Sequence, residues 1–127
     1  MKKYYVTVAN HGSIFWYKDA KRTILHREDG PAYTTISDDK FWYIDGKLHR
    51  VDGPAVIHNN GSEYWYVNGL QHKEDGPAVV YKNGYKEWWL HNVRMSEQEF
   101  LERTRPVEEL TVAQIEQLLG KRVKIIK

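Results

Sequence analysis

The chain contains no cysteine among its 127 residues. That removes disulfide bridges and thiolate-bound zinc or iron–sulfur centres, and leaves nothing to argue for an oxidising compartment. Long apolar runs are also missing. No stretch reaches the roughly 18 residues of a membrane span, and the opening MKKYYVTVANHG lacks the apolar centre of about seven or more residues that a secretory signal requires. The expectation is a cytoplasmic protein without a membrane span. An excess of one charge is absent too: 19 Lys and Arg face 17 Asp and Glu, too even a balance to infer a nucleic-acid patch from net charge. No phosphate-cradling glycine loop, zinc-protease helix or serine nucleophile elbow occurs. No catalytic residue, metal ligand or cofactor is therefore assigned. A chain of this length fits one compact unit with an appendage.

Aromatic residues, by contrast, are abundant: five Trp, nine Tyr and three Phe, all but Phe100 lying before Ser96. They keep step with a repeat. The segments LHREDGPAY, LHRVDGPAV and QHKEDGPAV place His26, His49 and His72 at intervals of 23 residues, with Asp29, Asp52 and Asp75 in the same phase. WYIDG at Trp42, WYVNG at Trp65 and WWLHN at Trp88 follow the same period, while WYKDA at Trp16 precedes Trp42 by 26 because of extra residues around Lys21 to Thr23. Self-similarity at such a period marks stacked supersecondary units, none of which buries its apolar face alone.

The units read as β-hairpins. Short runs rich in Trp, Tyr, Val and Ile flank turn signals, as in AVIH-NNG-SEYWYV and AVVY-KNG-YKEWWL, and Gly61 and Gly84 supply the positive φ that such loops need. Asp38-Asp39 must serve without glycine in the equivalent loop. After each aromatic strand, Asp45-Gly46 or Asn68-Gly69 makes a second tight turn. The predicted architecture is mainly β: an elongated antiparallel sheet of about four repeated hairpins with a small C-terminal α-helical cap. Residues 1–95 form the repeat domain and 96–127 the cap. Strand alternation puts Trp42 with Ile44, Trp65 with Val67 and Trp88 with Leu90 on one face, expected to be the core side because tryptophan is costly to leave wet. Phe41 with Tyr43, Tyr64 with Tyr66, and Trp89 occupy the other, half-exposed face.

The pattern Trp-Tyr-x-(Asp/Asn)-Gly-x-x-His-(Arg/Lys)-x-Asp-Gly-Pro-Ala, over about residues 13–95, resembles the MORN family of β-hairpin repeats, in the variant form of many small bacterial and bacteriophage proteins. The usual MORN copy is shorter and richer in glycine. The resemblance implies a twisted single sheet that acts as a protein-interaction or membrane-associated scaffold, without a catalytic motif. The closing LTVAQIEQLLGKRVKIIK is similar to a short C-terminal segment of tailed-phage proteins.

In the tail, Ser96 with Glu99 and Thr111 with Gln114 predict two capping boxes, each starting a short helix. Phe100 and Leu101 are expected to face inward. Val112, Ile115, Leu118 and Leu119 form an apolar stripe ended by Gly120, and KRVKIIK alternates toward a final edge strand.

Two constellations are candidate sites. The His-x-x-Asp pairs, His26/Asp29, His49/Asp52 and His72/Asp75, resemble metal or proton-transfer chemistry. A turn-building role fits better, because an active site is usually built once whereas a turn must be built in every copy. The second constellation is the half-exposed aromatic stripe of Tyr43, Tyr64, Tyr66 and Trp89, where a partner is expected to bind. The most economical role is a non-enzymatic module that binds a protein, a host protein inhibited by it if the chain is phage-encoded and acts in the host cytoplasm. The alternative is a nucleotide- or nucleic-acid-binding protein in which the stripe stacks bases beside Arg27, Arg50 and Lys73. The oligomeric state is left open.

Overall fold

The computed structural model describes residues 2–106 and 110–120; the segment 121–127, where the closing strand is expected, lies outside the described residues. Four hairpins carry the sheet: β1 (Tyr5–Val8) with β2 (Ile14–Tyr17), β3 (Tyr33–Thr34) with β4 (Lys40–Phe41), β7 (Val56–Ile57) with β8 (Glu63–Tyr64), and β11 (Val79–Val80) with β12 (Lys86–Leu90). Each loop closes alike. The N–H of Ala9, Thr35, His58 or Tyr81 donates at 2.9 Å to the carbonyl four residues on, and the residue before that carbonyl is left-handed. It is Gly12, Gly61 or Gly84 in three loops, and Asp38 at φ 67° in the fourth. Asp tolerates that conformation better than most residues with a Cβ, so the loop without glycine forms as the others do.

A second set of hairpins follows the aromatic strands: β5 (Tyr43–Ile44) with β6 (Lys47–Leu48), β9 (Tyr66–Val67) with β10 (Leu70–Gln71), and the end of β12 with β13 (Val93–Met95). Their two-residue turns have positive φ at both positions, 50° and 79° at Asp45-Gly46 and again at Asn68-Gly69, and 46° and 68° at His91-Asn92. These are the turns that the right-handed twist of flanking strands favours. In the first copy a longer loop takes this place. The Asp19 carboxylate holds it by accepting from the Thr23 hydroxyl and from the N–H groups of Thr23 and Ile24.

The main sheet runs β1-β2-β3-β4-β7-β8-β11-β12-β13, antiparallel throughout, with β5–β6 and β9–β10 as separate two-stranded ladders. What joins the two sets is a change of partner at each tryptophan. Trp42 donates its N–H to Ala55 at 2.7 Å and accepts from His49 at 3.0 Å; Trp65 does the same with Ala78 and His72, and Trp16 with Ala32 and His26. One bond belongs to each ladder, so the backbone creases at the tryptophan. Ala32, Ala55 and Ala78 sit against this crease at 0 % exposure, where only a methyl group is accommodated.

Burial departs from expectation on one point. Trp16, Trp42, Trp65 and Trp88 are only half-buried, as are Tyr43, Tyr64, Tyr66 and Trp89. Besides the alanines, Val56 and Val79 are the buried apolar residues of the sheet, and their register partners Phe41 and Tyr64 put them on the tyrosine face. Among the described residues only α1, on β12, packs against the sheet, and the tryptophan side is not a closed core.

Helix α1 (Glu97–Arg103) packs on β12 and buries Phe100. Ser96 caps it by accepting from Glu99 N–H, but the reciprocal half of the predicted box is missing because the Glu99 carboxylate turns to Arg103. Leu101, expected to face inward, is exposed, one position around the helix from Phe100. Helix α2 (Val112–Leu119) has the full Thr111/Gln114 box and a left-handed Gly120 cap, yet buries none of its residues. The sheet end is therefore covered by α1.

Candidate functional site: the repeated turn and the aromatic row

Each histidine serves the next copy's turn. The Nδ1 of His26 accepts from Asp45 N–H at 2.9 Å, that of His49 from Asn68 N–H at 3.0 Å, and that of His72 from His91 N–H at 2.9 Å. These donors are the first residues of the two-residue turns, whose strained φ the bond helps hold. A ring nitrogen accepting a backbone N–H carries no proton, so Nε2 bears the proton of the neutral ring. In the first and third copies Nε2 faces the residue two places on, Glu28 for His26 at 3.5 Å and Glu74 for His72 at 3.3 Å; in the second copy that position is Val51, which offers His49 no carboxylate.

The aspartates do not pair with these histidines. Asp29, Asp52 and Asp75 keep 69 %, 86 % and 88 % of their side chains exposed and meet the cation two residues before them. Arg27 Nε donates to Asp29 at 2.8 Å, and Arg50 Nε to Asp52 at 3.3 Å; the Arg27 hydrogen bond holds the Asp29 carboxyl below its ordinary range. The same guanidiniums donate to the carbonyls of Pro31 and Pro54. Their flat faces lie over tryptophan, Arg27 on Trp16 at 3.7 Å and Arg50 on Trp42 at 4.0 Å, with the Lys73 ammonium over Trp65 at 4.1 Å. The motif's glycine also lies against the guanidinium. A Cβ at Gly30 or Gly53 would stand 2.9 Å or 2.7 Å from the guanidinium carbon, so glycine here makes room for the cation rather than bending the chain. The His-Arg-x-Asp-Gly-Pro-Ala segment is thus a nearly self-satisfied unit, and Arg27, Arg50 and Lys73 are engaged within it. Among the described residues no group of three or more His, Asp and Glu is placed to hold a metal ion.

The aromatic stripe is larger than the sequence suggests. Phe15 and Tyr33 stack with ring centres 4.5 Å apart, Tyr33 and Phe41 5.1 Å apart, and the row continues edge-on through His58 to Tyr64 and Tyr81. Tyr64 belongs to this row. Tyr43, Tyr66 and Trp89 lie beyond the crease on their strands, facing the same way as their register partners Leu48, Gln71 and Arg94. Burial raises the hydroxyl pKa of Tyr43 and Tyr66, with neighbouring tyrosines adding to it. Trp89 donates its indole N–H to Glu87 at 3.0 Å. Strand alternation, which assigns Tyr64 and the other three residues to one face, does not reveal the bend between them.

The tryptophan face carries three clefts, one per copy. The first, about 420 Å³, lies between Glu28 and Asp29 on one side and Trp42, Ile44 and His49 on the other. The second, about 610 Å³, repeats it with Val51, Asp52, Trp65, Val67 and His72. The third, about 560 Å³, has Glu74, Asp75 and Leu90, and ends against Arg103 and Thr104 at the close of α1. No protein-family model, curated protein or solved structure matches this chain.

Proposed function

We propose that the protein is a non-enzymatic binding module that captures a protein partner on its aromatic face. The observation that carries this reading is the continuous row from Phe15 to Tyr81, with Tyr43, Tyr66 and Trp89 beside it, all half-buried. Amphipathic rings held rigid by their neighbours give large contact area with little loss of side-chain entropy, as interface hot spots do. The repeated segments support it by what they do with their own chemistry: histidine Nδ1 and the arginine forks are occupied by the fold. Likeness to MORN repeats agrees with a scaffold role, and the partner is a host protein if the chain is phage-encoded. No helix among the described residues is long and apolar enough to cross a membrane.

Affinity purification from the native host, comparing the natural chain with a Tyr43→Ser, Tyr66→Ser variant of unchanged circular dichroism, tests the reading. A protein retained by the first and lost by the second is the expected result. Equal retention by both, or turnover of a substrate by the purified chain alone, rejects it.

A further inference from the structure

The two ends of the sheet are finished differently. At one end β13 carries Arg94 at its centre and runs directly into α1, which packs on β12. At the other, β1 reads Tyr-Val-Thr-Val, with neither the lysine nor the proline that edge strands use to discourage pairing. Ala9 N–H donates to Ser13 across the loop, so alternation turns the N–H and C=O groups of Thr7 and Tyr5 toward β2 and those of Val6 and Val8 outward. Among the described residues nothing pairs with the outward groups.

Equivalent positions show what this edge lacks. Val6 stands three residues before the N–H that closes its loop, as Ala32, Ala55 and Ala78 stand before theirs. Each of those alanines accepts the preceding copy's tryptophan N–H and is 0 % exposed, whereas Val6 has no preceding copy and is 44 % exposed, with Val8 at 65 %. On the opposite face Thr7, across from Phe15, holds a buried hydroxyl oxygen with no hydrogen-bond partner among the described residues, and such a group costs free energy until it is paired.

We propose that a second copy of this chain fills the edge, β1 pairing antiparallel with β1 about a two-fold axis at Thr7. Within β1, both outward residues find partners only when Val6 of each copy faces Val8 of the other. Each Val6–Val8 pair then exchanges both of its backbone hydrogen bonds, and the valines, which share the tryptophan face, cover one another. The Thr7 side chains meet across the axis as the closer, non-hydrogen-bonded kind of pair, where one hydroxyl donates to the other. A further repeat stacked head to tail is the poorer occupant, because the interior seams take alanine where this edge presents the branched Val6. Two-fold pairing occupies the edge of both copies, so assembly closes at a dimer. It uses the strand edge and not the aromatic row, and stands separately from the function proposed above.

Sedimentation velocity of the full chain from micromolar to submillimolar concentration tests the pairing. A reversible monomer–dimer equilibrium is expected. Val8→Pro leaves its own hairpin intact, because the N–H it removes faces away from β2, and should weaken the dimer at least about fivefold by deleting one donor from each copy. Val8→Lys, an edge charge that keeps the N–H, should weaken it too and serves if the proline disturbs the circular dichroism. Because the chain has no cysteine, single cysteines read the register. Two Thr7→Cys copies bring their Cα atoms to about 4.5 Å, within disulfide reach, while two Tyr5→Cys copies stand about 13 Å out of register. Mild oxidation should link the first variant and not the second. A monomer at every concentration, a dimer of unchanged strength in both Val8 variants, or equal linking of the two cysteine variants overturns the proposal.

Discussion

The repeat sheet and the helical tail of this protein solve the same problem by different means. In the sheet no buried apolar side chain exceeds valine, and what recurs instead is polar: a histidine holding the next copy's turn and a cation held over tryptophan. In the tail, α1 is seated by a single buried phenylalanine, and α2 buries no residue. A one-layer array cannot draw its stability from a thick core. It sums nearest-neighbour terms, each modest and each written into the repeat, whereas the terminal helix needs only one anchor.

Removing the anchor should have the largest effect. Phe100→Ala is expected to cost about 3 kcal/mol of local stability, read by hydrogen exchange as lost protection in α1 while the first copy's amides are unaffected. Global collapse of the sheet in this variant would show that the array depends on its cap. Next comes the histidine bond. His72, 8 % exposed, should lose about 2 kcal/mol as His72→Ala, since the His91 N–H is left without its acceptor, and urea unfolding measures it. Gly53→Ala should cost about 1 kcal/mol by displacing the Arg50 guanidinium from Trp42, with a change in tryptophan fluorescence that a merely stiffer backbone would not produce. Lys73→Arg works in the opposite direction. It gives the third copy the fork of the first two, since Lys73 reaches Asp75 only at 4.0 Å where Arg27 reaches Asp29 at 2.8 Å, and should raise stability by about 0.5 kcal/mol.

The smallest contrast is in pH. Glu28, Asp29 and Asp45 have lowered pKa values, chiefly through hydrogen bonds from Lys2, Arg27 and Lys18 respectively. Groups whose folded pKa lies below the unfolded one stabilise the fold above about pH 4 to 4.5 and lose that contribution as pH falls through the folded value. Melting temperature should therefore drop as pH falls below about 4. Substituting Glu28→Gln and Asp29→Asn together should flatten that dependence.

Much of this was legible in the residues. The 23-residue period, the loop hairpins, the tight Asp45-Gly46 and Asn68-Gly69 turns and the Thr111 cap follow from spacing and local backbone preference. What escaped depends on folding back in space. Trp42 and Arg50, like Trp65 and Lys73, stand eight residues apart across a tight turn, and their regular spacing was visible without the stacking it produces. Strand alternation was read straight through each tryptophan, although the backbone changes hydrogen-bonding partner there. The spacing of histidine and aspartate offered a dyad beside the preferred turn-building role; in space the ring's Nε2 meets the second position, Glu28 in the first copy and Glu74 in the third. Leu101 was assigned inward by its hydrophobicity, but a helix with one contacting side accommodates only Phe100.

The most direct test of the architectural role of the histidines is their ring nitrogens. Nitrogen-15 NMR of the intact protein at neutral pH is expected to show all three rings protonated on Nε2 alone, with through-hydrogen-bond couplings from Nδ1 of His26, His49 and His72 to the amides of Asp45, Asn68 and His91. An Nδ1-protonated tautomer at any of the three, or absence of that coupling with fast exchange of the Asn68 amide, would contradict the account.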